Sequence, residues 1–223
     1  EDDFFMVSNN NNPYSSYFLQ NTIHIKSIDD ASMFVIPANS ITRSSSRLQV
    51  IGVIPGQIIT QKRIIPAKVD ERYRVVVADA QRDLAKLAVV ERHHRTGNVG
   101  LGFVQGLGLE KGAIASSVAH DSHNLVVAGM NDNDMLIAVR YISSIGGGLA
   151  VAENGRITAG LPLPIAGLMS NQSIESVISD LTTVNQACVK LGKNVVRDPF
   201  MLLSFLSLPV IPSLKLTDKG LVD

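Results

Sequence analysis

With 223 residues, 45% of them apolar and 18% charged, the chain is long enough to bury a real core and has an ordinary soluble composition. Twenty basic side chains balance twenty acidic ones, and with no Trp and few aromatics the sequence carries neither an electrostatic nor a base-stacking signature of nucleic-acid or anionic-membrane binding. Cys188 is the single cysteine, which excludes an intramolecular disulfide and a four-cysteine zinc site and points to a reducing, cytoplasmic compartment.

The opening EDDFFMVSNNNN has neither the basic start nor the apolar centre of a signal peptide. No apolar run approaches the roughly 20 residues of a spanning helix. Without an initiator Met, a fragment or a processed product is expected. SNNNNP at 8–13 reads as a linker. His24 lies in an alternating T-I-H-I-K pattern, which places it on the polar face of a short strand. Further short strands are predicted at 33–36, 48–54 and 73–78, separated by turns such as TRSSSR and Pro55-Gly56. Asp79 then reads as the cap of a helix carrying Leu84, Leu87, Ala88 and Val90 at helical spacing. His93 and His94 fall in its last turn and Gly97 at its exit.

Val99–Gln105 alternates apolar residues with glycine, and repeated glycine in a strand implies the close approach of another backbone or a ligand. Residues 113–118 form the next strand, which ends in the polar AHDSHN, and Leu125–Gly129 resumes the sheet. Residues 91–129 thus hold four of the five histidines in two polar clusters beside strands. A site built on rigid elements has this form in sequence, and so do two ordinary polar loops. Asn131 and Asp134 signal a helix carrying Met135, Leu136, Val139 and Ile142, closed by Gly146. Segments 149–152 and 156–161 flank Asn154-Gly155, a strong hairpin signal. After the irregular LPLPIAGLMS, an amphipathic helix over 173–191 is expected to bury Ile174, Val177, Leu181 and Val184. Asp198-Pro199 opens the short helix FMLLSFLSL, and the remaining chain runs extended. The order favours an α+β fold, with a mixed, largely antiparallel sheet layered with about four helices. Residues 1–47 read as an N-terminal segment and 48–223 as one domain.

His120-x-x-His123 with Asp121 offers ligand types suited to zinc, manganese or iron, but the spacing lies in a loop, not on a helix as in H-E-x-x-H. Ser122 beside His123 has no G-x-S-x-G elbow around it. Loops of His, Asp, Ser and Asn commonly hydrogen-bond one another and nearby backbone. The glycines of 97–112 lack the third glycine of a nucleotide fingerprint, and Gly146, Gly147 and Gly148 end a helix where a phosphate site would precede one.

Several contiguous stretches resemble the C-terminal part of microbial adenine deaminase. They are VIGVIPGQIIT (50–60), DLAKLAVVERHH (83–94), TGNVGLGF (96–103), KGAIASSVAHDSHN (111–124), residues 146–150, LPLPIAGLMS (161–170), 198–206 and 208–223, together most of 48–223. The resemblance implies an enzyme of the amidohydrolase superfamily that hydrolyses adenine to hypoxanthine and ammonia. It further implies a divalent metal (manganese, iron or zinc) held by a TIM-type barrel N-terminal to this region. This chain has no H-x-H pair, and a barrel needs about 250 residues of its own. No metal is therefore expected here, and the chain alone is expected to be inactive. Arg95 stands where the family usually has glycine in HHGTG. The site residues implied are His120, Asp121, Ser122 and His123 as supporting catalytic groups and His94, Asn98 and Asn124 on the substrate. The implied partners are the barrel domain, adenine and further copies of the chain, without nucleic acid or membrane. Two other readings stay open. One is a non-catalytic assembly or ligand-binding module; the other is a self-contained metallohydrolase using His93, His94, His120, Asp121 and His123.

Overall fold

The computed structural model describes residues 20–28, 30–38 and 47–223; the linker expected at 8–13 and most of TRSSSR lie outside them. In chain order the strands are β1 (Ile36–Pro37), β2 (Arg47–Val53), β3 (Thr60–Pro66), β4 (Val69–Asp70), β5 (Val75–Val76), β6 (Leu84–Val90), β7 (Val99–Gln105), β8 (Ala113–Ser116) and β9 (Leu125–Gly129). Helix α1 (Asp132–Ser144), hairpin strands β10 (Gly148–Glu153) and β11 (Arg156–Pro162), helices α2 (Ile174–Val189) and α3 (Pro199–Phe205), and the hairpin β12 (Lys215–Thr217) and β13 (Gly220–Val222) complete it. Eight strands form one sheet in the order β11-β10-β8-β9-β6-β7-β2-β3, antiparallel except where β2 meets β7. The α+β architecture is as expected, with three α-helices among the described residues. None of these helices is long and apolar enough to cross a membrane.

The helix expected after Asp79 is absent. Leu84–Val90 is the strand β6 near the middle of the sheet, buried at every position. The physical reason is two-sided burial. Leu87 and Val89 face the core under α2 and α3, while Ala88 and Val90 face the core under α1. A strand covered on both faces is apolar at nearly every position, so a helical period can be picked out of it by chance. Asp79 does cap, but it caps the single 3-10 turn Ala80–Arg82 by accepting from the Gln81 N–H at 3.1 Å. His93 and His94 therefore lie in a strand-to-strand loop.

Smaller departures have similar causes. Around His24 the backbone is extended and exchanges two bonds with the chain at 92–95 (His24 N–H to Arg92 O, 2.6 Å; Arg95 N–H to His24 O, 3.2 Å) without a regular ladder. The strand expected at 33–36 is a 3-10 turn, Ala31–Phe34, followed by the two-residue β1, and the one at 73–78 shrinks to β5. Ile174 and Leu181, expected on the buried side of α2, are exposed. The cap at Asn131 and the Asn154-Gly155 hairpin form as read, each set by a few neighbouring residues, and the structure adds a cap at Ser173, whose side chain accepts from the Ser176 N–H.

The backbone that β7's glycines admit is the C-terminal hairpin. A Cβ on Gly100 would stand 1.8 Å from the Thr217 carbonyl oxygen and 3.2 Å from the Gly220 nitrogen. Lys86 is the other fixture of this half. Its buried ammonium donates to the Phe34 carbonyl at 2.9 Å and pairs with Asp132 at 2.5 Å, tying the N-terminal turn and the start of α1 to β6. Gly100→Ala must push the hairpin off the sheet, and overpacking of this kind costs about 1–3 kcal/mol. Urea denaturation should read that loss, with faster hydrogen exchange confined to β12 and β13; unchanged stability would show that the contact is not tight.

Candidate functional site

Strand register assembles the site. Val90 pairs with both Val99 and Leu125, and Ser116 with both Val126 and Leu149. The β6–β7 loop (91–98) and the β8–β9 loop (117–124) therefore leave the same end of the sheet side by side. The start of β10 and the 163–170 connection lie next to them.

Glu91 organises the first loop. Its buried carboxylate accepts the backbone N–H of His93, of His94 (2.7 Å) and of Thr96 (3.0 Å), and the Thr96 hydroxyl (3.0 Å). Burial pushes its pKa up, but the four donors outweigh burial and hold it at about 2. The loop is wound around an ionised carboxylate, which leaves the side chains of His94 and Asn98 at the surface.

Arg92 turns the other way and joins the loops. It is 2% exposed; its backbone N–H donates to Asn124 Oδ1 at 3.3 Å, its Nε to the His123 carbonyl, and its Nη2 to the Ala166 carbonyl at 3.1 Å. A Cβ on Gly167 would lie 2.2 Å from Nη1, so glycine is required where the third segment passes. Burial lowers the guanidinium pKa to about 10, which leaves it charged at neutral pH. Ser117 fastens the same corner, donating from Oγ to Gly167 O at 2.5 Å and accepting the Gly148 N–H at 2.7 Å.

The AHDSHN loop is closed by the His123 N–H on the Ala119 carbonyl (2.6 Å), with His123 in the left-handed region at φ 50°. His120 is half-buried, its ring 4.8 Å from that of Phe205 and 6.2 Å from that of His123. The His123 pKa is lowered, by burial first and then by the charge of Arg92, so the ring is neutral at physiological pH. Its Nδ1 is buried without a partner. Asp121 and Ser122 are exposed. The Ser122 carbonyl is 2.7 Å from His93 Nε2, which therefore carries the proton, and the Ser122 hydroxyl lies 3.4 Å from the Asn124 N–H. These contacts place the two loops against each other and make no serine–histidine couple.

Asn98 and Asn124, from the two loops, both donate to Asp218 at the tip of the β12–β13 hairpin, at 3.3 and 3.4 Å. Six of the seven expected site residues (His120, Asp121, Ser122, His123, Asn98 and Asn124) are thus linked within one end of the sheet, with His94 on its rim. Among the described residues, no three His, Cys, Asp or Glu side chains converge to hold a metal ion. Sequence reasoning missed Glu91, Arg92 and Asp218. A Glu-Arg pair directly after a buried apolar run was a usable signal, because charge at such a place needs partners. The role of Asp218 depends on contacts 94 and 120 residues away and had no local signal.

A family model for the adenine deaminase C-terminal domain matches residues 57–223. The chain belongs to this family. It is 54% identical over 210 residues to an adenine deaminase of Oleidesulfovibrio alaskensis, covering 94% of this chain and 35% of that protein. It is 50% identical over 211 residues to adenine deaminase 2 of Carboxydothermus hydrogenoformans (95% and 36%) and 50% identical over 190 residues to an adenine deaminase of Methanothrix thermoacetophila (82% and 33%). The chain spans about a third of the length of these relatives. In this adenine deaminase C-terminal domain, Arg95 has φ 54°, a left-handed backbone that glycine adopts more easily.

Glu91 also sets a pH dependence. Its pKa falls from 4.5 to about 2 on folding, so its contribution is complete above pH 4.5 and is lost as pH falls toward 2. Glu91→Gln should destabilise the domain by about 1–3 kcal/mol at pH 7 and flatten the stability curve across that window. Denaturant titrations at several pH values measure both, and an equally steep acid limb in the variant would assign the effect elsewhere.

Proposed function

We propose that this chain is the C-terminal part of an adenine deaminase, in which it supports hydrolysis of adenine to hypoxanthine and ammonia in a separate barrel domain. Residues 48–223 serve as the domain and 1–47 as the segment leading into it. The setting is a cytoplasmic, homo-oligomeric enzyme of purine salvage. The observation that carries the reading is the convergence of the 91–98 and 117–124 loops on one end of the sheet, fixed from beneath by Arg92 and bridged by Asp218.

Most polar atoms of that end are occupied within the domain, which suits it to shape and orient and not to carry out the bond-making step. Asp121 and Ser122 remain exposed beside His120 and the neutral ring of His123. These four are the supporting catalytic groups: they present a carboxylate, a hydroxyl and imidazoles where a proton must be held near the leaving ammonia. His94, Asn98 and Asn124 line the adenine side, Asn124 through the Asp218 bridge that it shares with Asn98. A divalent metal (manganese, iron or zinc) supplies the activated water in this class of hydrolysis. The described residues of this chain do not fit one, so the ligands are assigned to the barrel.

In the full-length polypeptide, Asp121→Asn should lower kcat for ammonia release about 10–100-fold, the usual effect of removing an outer-shell group, with Tm unchanged because Asp121 is exposed. Wild-type kinetics in both Asp121→Asn and Ser122→Ala would remove the loop from the reaction. Ammonia release by the 223-residue chain alone would move the centre into this domain.

A further inference from the structure

The apolar arc of α2 is wider than the sheet beneath it covers. One edge of the arc, Val184 and Cys188, is buried in the core. The other edge, Ile174, Ile178 and Leu181, keeps the i, i+4, i+7 spacing of a contact face but is 69%, 58% and 38% exposed. This edge leads into a groove of about 430 Å³ between α2 and α3. Val118, Leu149 and Leu163 floor it, Leu181 and Met201 rim it, and His120 stands in its wall. Met201 is itself 59% exposed. Apart from His120, Asp198 is the only titratable side chain of the lining, so the surface calls for an uncharged, apolar occupant. Single exposed apolar residues are ordinary, whereas a row of them opening into an apolar groove marks an interaction site.

Two observations select the occupant. His120 belongs both to this groove and to the AHDSHN loop, so a body that meets the loop meets the groove as well. About two thirds of the length of the related adenine deaminases lies outside the part matched here, which is a body of ample size. We propose that the α2–α3 groove seats an apolar segment of the barrel-bearing part of the enzyme, the α2 edge and Met201 forming the seam between the two parts. The proposal rests on the function proposed above and assigns that function its contact surface.

Thiol labelling tests it. Cys188 is buried and its thiol pushed up to about 12, so it stays silent under maleimide. Ile178→Cys, with Ile174→Cys as a second position, adds a reporter on the open edge, and Thr183→Cys adds one on the opposite side of α2. In the full-length polypeptide, Ile178→Cys should label at least tenfold more slowly than in the 223-residue chain, while Thr183→Cys labels at matching rates in both. Equal rates for Ile178→Cys and Ile174→Cys in the two polypeptides overturn the proposal. So does slow labelling in the 223-residue chain that quickens on dilution, because a second copy then fills the groove. The function has its own readout: ammonia release insensitive to both Asp121→Asn and Ser122→Ala removes the catalytic reading even where labelling is slowed, and equal labelling with a sensitive kcat removes only the seam.

Discussion

Arg92 sits where three separate segments of the chain cross, and its guanidinium is what they share. A buried cation without a carboxylate beside it is costly, and here the offset comes from neutral carbonyls, of His123 and of Ala166, while Nη1, against which Gly167 passes, is buried without a partner. Such an arrangement tolerates little displacement. If the AHDSHN loop moves, the His123 carbonyl leaves a charged donor buried and unpaired; if the 163–170 segment moves, Ala166 does the same. The charge also acts beyond its hydrogen bonds. It is one of the influences that keep His123 neutral, so the fixture that positions the loop also sets the protonation of one of its rings.

Neighbouring residues with opposite charges divide the labour. Glu91 satisfies the backbone of its own loop, and Arg92 satisfies the backbone of the other two. They do not pair with each other, because consecutive residues leaving a strand point to opposite sides. The result is a rigid end of the sheet built from main-chain atoms. The exposed side chains His94, Asn98, Asp121 and Ser122 are carried on it, and none of them is needed to hold it together by burial. That separation suits a surface that another body reads.

What the sequence showed clearly was whatever a few adjacent residues decide. Asn131 caps α1 and Asn154-Gly155 turns a hairpin, because each signal and its structural effect lie within one turn of chain. The alternating glycines of β7 announced a close backbone but not its source, since Thr217 is more than a hundred residues away. β6 was misread because burial on both faces erases the period that separates strand from helix. The site was legible as two polar clusters near one another in sequence. What joins them was not, because Asp218 meets Asn98 and Asn124 only after the whole sheet has formed. The exposure of Ile174 and Leu181 follows the same logic. Helical spacing identifies an apolar arc but not how much of it the rest of the chain will cover.

His120 connects the polar end of the sheet to the apolar groove. Its N–H donates to the Ser204 carbonyl at 3.2 Å and its ring lies against Phe205, both at the end of α3. Three residues further on, His123 is held by Arg92. The loop is thus anchored at one end to a helix that borders the groove and at the other to the buried guanidinium beneath the polar surface. Packed elements shift as units and not by continuous deformation. A body seated against α3 therefore bears on the same short loop that carries Asp121 and Ser122, and fixing that helix fixes their position. The apolar groove and the polar loops act as one surface, with His120 as the residue common to both.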